Sequence, residues 1–166
     1  MLKKTSSRVL VLSLSLSASL AWAADMSGEV KLSCPTGTKQ FGGRATMTDR
    51  GVFCVKNVTD KGTPIAHGPY VSYHQNGQKK AVGQHVDGAR SGLWTFFDEN
   101  GVKTEEIDFS GGNYHGKRVQ YFPTGKPRKV EQYVNGRRNG LFQEFSDDGK
   151  VVHQVQYRDD QQVAEK

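Results

Sequence analysis

Four glycines, Gly68, Gly92, Gly116 and Gly140, stand 24 residues apart. Gly77, Gly101, Gly125 and Gly149 keep the same interval, and Gly88, Gly112 and Gly136 form a third column that ends at Asp160. Aromatic residues share the period. Tyr73, Phe97, Tyr121 and Phe145 make one column, and Phe109, Tyr133 and Tyr157 make a second whose first member is His85. No insertion or deletion disturbs the spacing from residue 68 to 163. A fixed period of this length is the signature of a repeat architecture, in which each unit buries its apolar face only against its neighbours.

The composition of one unit decides what it folds into. Asn76-Gly77, Asn100-Gly101, Thr124-Gly125 and Asp148-Gly149 are hairpin-turn dipeptides, because Gly and Asn tolerate positive φ. A second set of turns falls at Asp87-Gly88, Gly111-Gly112, Asn135-Gly136 and Asp159-Asp160. The turns alternate at spacings of 11 and 13, which leaves strands of about 5–7 residues between them. Between turns the pattern has period two: Trp94 and Phe96 point one way, Thr95 and Phe97 the other. A helical reading places turn pairs inside every helix and is rejected. The expected fold is all-β, an antiparallel meander of four 24-residue hairpins over 68–91, 92–115, 116–139 and 140–163. Eight strands at ~4.8 Å each make a sheet roughly 38 Å long. A chain only 35% hydrophobic but 10% aromatic then holds together through aromatic columns on a sheet face, where each cross-strand pair contributes roughly 0.2–1 kcal/mol. The expected repeat core is Tyr73, Phe97, Tyr121, Phe145, Phe109, Tyr133 and Tyr157.

Outside the repeats, residues 1–23 read as a secretory leader. A basic head (Lys3, Lys4, Arg8) precedes an apolar stretch from Val9 to Leu20, and Ala21-Trp22-Ala23 supplies the small-x-small cleavage pattern. The rival, an uncleaved anchor, asks a stretch of about a dozen residues to do what normally takes about 20. Export to the periplasm or beyond is therefore expected. Residues 24–67 form an N-terminal cap segment. Its two cysteines, Cys34 and Cys54, are the only ones in the chain, and in an exported protein they are expected to pair. The rival reading, a redox or metal pair, has no C-x-x-C spacing and no third soft ligand to support it. Gly51 to Lys56, followed by Asp60 to Pro64, is read as a degenerate hairpin feeding the first repeat, and 164–166 as a tail.

The pattern G-x-W/Y-x-x-F/Y, then N-G, then an aromatic and D/N-G resembles the MORN family, and more closely its bacterial MORN-variant repeat, associated with toxin–antitoxin antitoxin components. Gly92-Leu-Trp-Thr-Phe-Phe-Asp-Glu-Asn-Gly101 carries it best. Arg118 departs from it by replacing the first-strand aromatic of the third repeat, as does Asp160 by replacing a turn glycine in the fourth. The resemblance implies a repeat sheet that binds or scaffolds without catalysis of its own. The antitoxin activity is not carried over, because an antitoxin meets its toxin in the cytoplasm and the leader points elsewhere.

The chemistry-bearing residues do not assemble into a catalytic pattern. His67 and His115 share a column two repeats apart, roughly 19 Å in a regular sheet, too far for one zinc ion with bonds of about 2.1 Å. His74 and His153 have no evident partner. Glu105-Glu106 and Asp147-Asp148 are adjacent pairs, and neighbours on a strand face opposite ways. There is no G-x-S-x-G elbow and no phosphate-binding loop. No metal or cofactor is expected, and no enzyme activity. Asn57-Val-Thr59 is a glycosylation triplet only in a host that glycosylates.

Charge is more informative. The formal +6 falls to +3 without the leader (20 basic, 17 acidic), and by repeat it runs +2, −4, +6, −3. The third repeat carries Lys117, Arg118, Lys126, Arg128, Lys129, Arg137 and Arg138 against Glu131. These seven are the candidate patch for an anionic partner, such as a lipid head group, an envelope polysaccharide or an acidic protein. The competing role is neutralisation by the acidic repeats on either side. Nucleic acid is excluded by compartment and by the shortness of the patch. The expected function is an exported, non-enzymatic β-repeat scaffold that binds another envelope or extracellular protein, with anionic-surface binding as the alternative.

Overall fold

The computed structural model describes residues 30–42, 51–56 and 62–163. The leader, the Asn57 triplet and the tail lie outside them. The described residues hold no helix. They form twelve strands in one antiparallel sheet: β1 (Lys39–Phe41), β2 (Val52–Lys56), β3 (Ile65–Tyr73), β4 (Lys79–Val86), β5 (Ala89–Phe97), β6 (Lys103–Ser110), β7 (Asn113–Tyr121), β8 (Pro127–Val134), β9 (Arg137–Arg138), β10 (Gly140–Phe145), β11 (Val151–Arg158) and β12 (Gln161–Val163). Each strand pairs with the next in sequence, except that β9 pairs with β8 and ends there, and β10 then takes over beside the same strand. The chain is an all-β meander, as its glycine and turn spacing require.

Two kinds of turn alternate along it, and both repeat closely. In the two-residue turns the dihedral φ is positive at both positions: 52° and 84° at Asp87-Gly88, 56° and 83° at Gly111-Gly112, 49° and 82° at Asn135-Gly136. This is the type I′ geometry whose twist matches that of the strands. Asp159-Asp160 adopts it too (46° and 67°) without a glycine. The second of each pair then reaches sideways. Gly88 N–H donates to Ala66 O, Gly112 to Arg90 O, Gly136 to Tyr114 O and Asp160 to Arg138 O, at 2.8–3.0 Å. Neighbouring hairpins are thereby tied together at this end. In the longer turns Gly77, Gly101, Gly125 and Gly149 donate to His74, Asp98, Phe122 and Ser146 O at 2.8–3.0 Å.

The first glycine column does something the turn reading did not anticipate. Gly68, Gly92 and Gly116 lie inside β3, β5 and β7 and Gly140 opens β10, at φ of 109°, 66°, 94° and 122°. In β5 and β7 they fall where the register with the preceding strand shifts, so they are bulge residues rather than strand starts. In the fourth repeat the disruption is complete, and the strand is split into β9 and β10.

The segment before the repeats joins the sheet. β2 pairs with β3 on one side and β1 on the other, so the N-terminal region adds two strands to the array. Cys34 and Cys54 form a disulfide with Cα atoms 5.5 Å apart. It fastens the stretch ahead of β1 to the fully buried middle of β2. The Gln40 side chain holds that stretch as well, accepting from Leu32 N–H (2.7 Å) and donating to Val30 O (2.6 Å).

Candidate binding surface

With one layer of sheet and no second layer among the described residues, burial has to come from side chains lying on their neighbours. On one face a ladder of rings crosses the molecule: Phe41–Phe53–Tyr70–Trp94–Phe109–Tyr114–Tyr133–Phe142–Tyr157, with centroids 4.8–6.1 Å apart. His85 fits edge-on between Tyr70 and Trp94. From β1 to β11 each strand except the two-residue β9 contributes one ring. Trp94 is 1% exposed, and with Ala81, Ile107 and Phe109 it forms the buried cluster, against which Tyr70, Phe96 and Tyr114 pack. Gly83 is a condition of that packing. A Cβ there would overlap the Trp94 indole, which lies on the bare backbone and donates Nε1–H to Gln84 O at 3.1 Å.

The structure divides the expected repeat core. Phe109, Tyr133 and Tyr157 belong to the ladder. Tyr73, Phe97, Tyr121 and Phe145 are only partly buried and make no ring contacts among themselves. Each follows a register shift at the end of its strand, between Ser72/Tyr73, Phe96/Phe97, Gln120/Tyr121 and Glu144/Phe145. They therefore sit beside the longer turns on the opposite side from Phe96 and Gln120. On that side the Lys103 ammonium stands 4.2 Å from the Tyr121 ring centre, and the Tyr121 hydroxyl donates to Glu106, which also binds Lys103 (2.9 Å). Burial would raise the Glu106 pKa, but the Tyr121 hydroxyl and Lys103 outweigh it and hold the carboxyl below its ordinary range.

The ladder members that escaped the sequence reading occupy columns of their own. One cross-strand pair recurs four times: Tyr70 opposite Gly83, Trp94 opposite Ile107, Arg118 opposite Glu131, Phe142 opposite Val155. In the third repeat an ion pair thus stands where the others place an apolar pair. Arg118 bridges Glu105 (2.6 Å) and Glu131 (2.9 Å), and Lys129 bridges Glu131 (3.1 Å) and Glu144 (3.3 Å). Glu131, 4% exposed, also accepts from the Tyr133 hydroxyl at 3.3 Å. The Arg118 stem and guanidinium fill the vacant ring position, 5.7 Å from the Tyr114 ring centre. Burial disfavours its charge, yet Glu105 and Glu131 more than compensate and raise its pKa. Arg90 and Arg138 occupy the column of Tyr114 and lie over Trp94 (4.6 Å) and Tyr157 (4.4 Å). Guanidinium planes thus substitute for rings.

This arrangement also sorts the seven basic residues of the third repeat. Arg118 and Lys129 are consumed by the carboxylate network, and Arg138 pairs with Asp160 at 3.3 Å. Lys126 reaches only Asp147 O (3.0 Å), and Arg128 only Gln120 Oε1 (3.3 Å). Lys117, Lys126, Arg128 and Arg137 form no ion pair among the described residues. Lys126 and Arg128 stand at the longer-turn end, Lys117 and Arg137 near the tight-turn end. The seven thus do not form one contiguous patch. Of the histidines, His67 and His115 play the same local part, with Nδ1 at 3.0 Å from Asp87 and 3.2 Å from Asn135 in the adjoining tight turns. His74 Nε2 meets Phe97 O at 2.8 Å. Among the described residues no three His, Cys, Asp or Glu side chains gather as metal ligands.

A single-layer antiparallel sheet with a continuous aromatic face marks the described residues as those of a β-repeat protein. The family can be named from the repeats themselves. The model for the MORN repeat variant matches residues 66–87, 90–110, 114–135 and 138–159, and the chain belongs to that family. Repeats of this family generally serve as protein- or membrane-binding modules rather than as enzymes. No curated protein matches the chain. Among solved structures, it is similar to the Glycosylation Associate Protein (Gap123) complex from Streptococcus agalactiae, at 16% identity and a TM-score of 0.38. That alignment covers 69% of this chain and 20% of the other.

Proposed function

We propose that this protein is an exported, non-enzymatic β-repeat scaffold that binds another protein of the cell envelope. The observation that carries the reading is the aromatic ladder. It makes one continuous surface of the whole repeat array. The leader-like residues 1–23 supply the compartment. Immobilised protein should capture a saturable protein partner from an envelope extract, and its absence would sink the reading. The mass of the native chain tests export separately: a start at Ala24 supports it, and an intact Met1 end reopens a cytoplasmic antitoxin role.

A second reading, peripheral binding to an anionic lipid or polysaccharide surface, draws support from Lys117, Lys126, Arg128 and Arg137, the third-repeat cations outside ion pairs. Replacing these four by Ala should abolish co-sedimentation with anionic vesicles at low salt. Binding that persists at high salt contradicts an electrostatic mode.

A further inference from the structure

We propose that the Arg90 guanidinium is a receptor for a carboxylate of the partner protein, an Asp or Glu side chain that enters over Gly112 where β5 begins. The inference rests on the protein-binding reading and names the chemistry of the contact.

Four cationic side chains lie on aromatic rings among the described residues, and three of them are closed by a carboxylate of the chain itself. Lys103, on Tyr121, binds Glu106 at 2.9 Å. Arg118, on Tyr114, binds Glu105 and Glu131. Arg138, on Tyr157, binds Asp160. Arg90 is the fourth, and it meets three rings rather than one. Its guanidinium carbon stands 4.6 Å from the Trp94 ring centre, 5.4 Å from that of Phe109 and 5.9 Å from that of Phe96. The side chain is exposed. Among the described residues no carboxylate comes within ion-pair distance of it, and no side chain accepts a hydrogen bond from it. A planar cation already fixed on rings loses little further freedom when it binds an anion.

The fourth repeat shows what fits there. Arg138 stands two repeats on from Arg90 in the same column, and the second residue of the adjoining tight turn is Asp160 in one case and Gly112 in the other. Each turn residue donates its N–H to the arginine carbonyl, Gly112 to Arg90 O at 2.9 Å and Asp160 to Arg138 O at 3.0 Å. The Asp160 carboxylate then accepts from the Arg138 main-chain N–H at 2.9 Å and from its Nε–H at 3.3 Å. Gly112 has the same left-handed backbone, φ 83° against 67°, but no side chain to place on Arg90. The space is open, since beyond its chain neighbours a Cβ at Gly112 would meet only Ala89 Cβ, 3.8 Å away. The group that completes this site is therefore an aspartate-like carboxylate from outside the chain. A side chain of the bound protein reproduces Asp160 directly, and charge-assisted bonds of this kind are the stronger class.

The probe is acetyl-aspartate methylamide, titrated into the isotope-labelled full-length protein and followed by NMR. It should shift the Arg90 Nε–H and Trp94 Nε1–H resonances saturably, beyond any change caused by sodium chloride at the same ionic strength. Gly112→Asp supplies the carboxylate internally and should weaken the response by about tenfold or more, because the tethered group competes at high effective concentration. Asp160→Gly should do the reverse and open a second saturable response at Arg138 Nε–H. Its turn position carries glycine in the other three repeats, so the fold is retained. Asp60→Asn, in the segment between β2 and β3 outside the described residues, should leave the titration unchanged. Tighter binding by that variant would mean that the chain itself neutralises Arg90, and would overturn the partner assignment. The proposal is also overturned if wild type responds no more to the probe than to salt, or if Asp160→Gly unmasks nothing at Arg138. Capture of the envelope partner should fall with Arg90→Gln and with Gly112→Asp. A partner captured equally well by Arg90→Gln leaves the scaffold reading standing and this inference refuted, whereas a saturable probe response with no partner captured keeps the carboxylate receptor and fells the scaffold reading.

Discussion

His85 is the one described residue with a buried side-chain polar atom that finds no partner: its Nδ1 is enclosed and unbonded. The ring is clamped edge-on between Tyr70 and Trp94, with Arg90 opposite it on β5. Burial, and secondarily the Arg90 charge, lower its pKa below the ordinary imidazole value. A lowered pKa means that the unfolded chain takes up a proton more readily than the native one. Stability is therefore full at neutral pH and declines as pH falls below about 6.5. The other ladder positions of this column are Phe109, Tyr133 and Tyr157, so His85→Phe should raise the melting temperature and flatten its dependence between pH 7 and 5. Equal slopes for both proteins in a thermal-melt series would refute the assignment. Arg118 and Glu131 make a second residue-scale case. Arg118→Ala strands Glu131 in the sheet and should cost about 3 kcal/mol by chemical denaturation. Arg118→Phe with Glu131→Val restores the apolar pair of the flanking repeats and should be close to neutral, because a buried ion pair is costly to break and cheap to replace whole.

At the scale of the strand, face assignment governs the energetics. Trp94 and Phe97 both belong to β5 and both recur as aromatics in other repeats, but only Trp94 lies in the buried cluster. Trp94→Ala should destabilise by about 3–5 kcal/mol. Phe97→Ala, at a partly buried position near the turn, should cost roughly half as much, and equal losses would contradict the ladder. The odd strands also show how far the sequence could be read. Period-two alternation placed Trp94 and Phe96 on one face and Phe97 on the other, and the turn dipeptides located every hairpin. Hidden in it were the bulges at Gly68, Gly92, Gly116 and Gly140. A glycine looks alike in a turn and in a bulge, and only the pairing partner decides which it is. The ladder's mixed columns were obscured for a related reason. Tyr70, Trp94 and Phe142 are interrupted by Arg118, and Tyr114 is flanked by Arg90 and Arg138. Guanidinium stacking on rings has no signature in a hydrophobicity pattern.

For the molecule as a whole, a linear array in which each hairpin touches only its neighbours makes stability local. The Cys34–Cys54 disulfide closes a loop of 20 residues and contributes about 3 kcal/mol in the chain-entropy picture. Replacing both cysteines by serine should loosen β1–β3 while the hydrogen exchange of β6–β10 stays close to wild type. Uniform loss of protection along the sheet would show the array to be a single cooperative unit instead. The repeat period, the hairpin meander, the disulfide partners and the charge blocks all follow from residue identity and spacing, because turn chemistry and alternation act over a few residues. Which basic residues remain outside ion pairs and which aromatics touch depend on what lies across the sheet, on neighbouring strands rather than on neighbouring residues of the sequence. Only the pairing register brings Arg118 against Glu131.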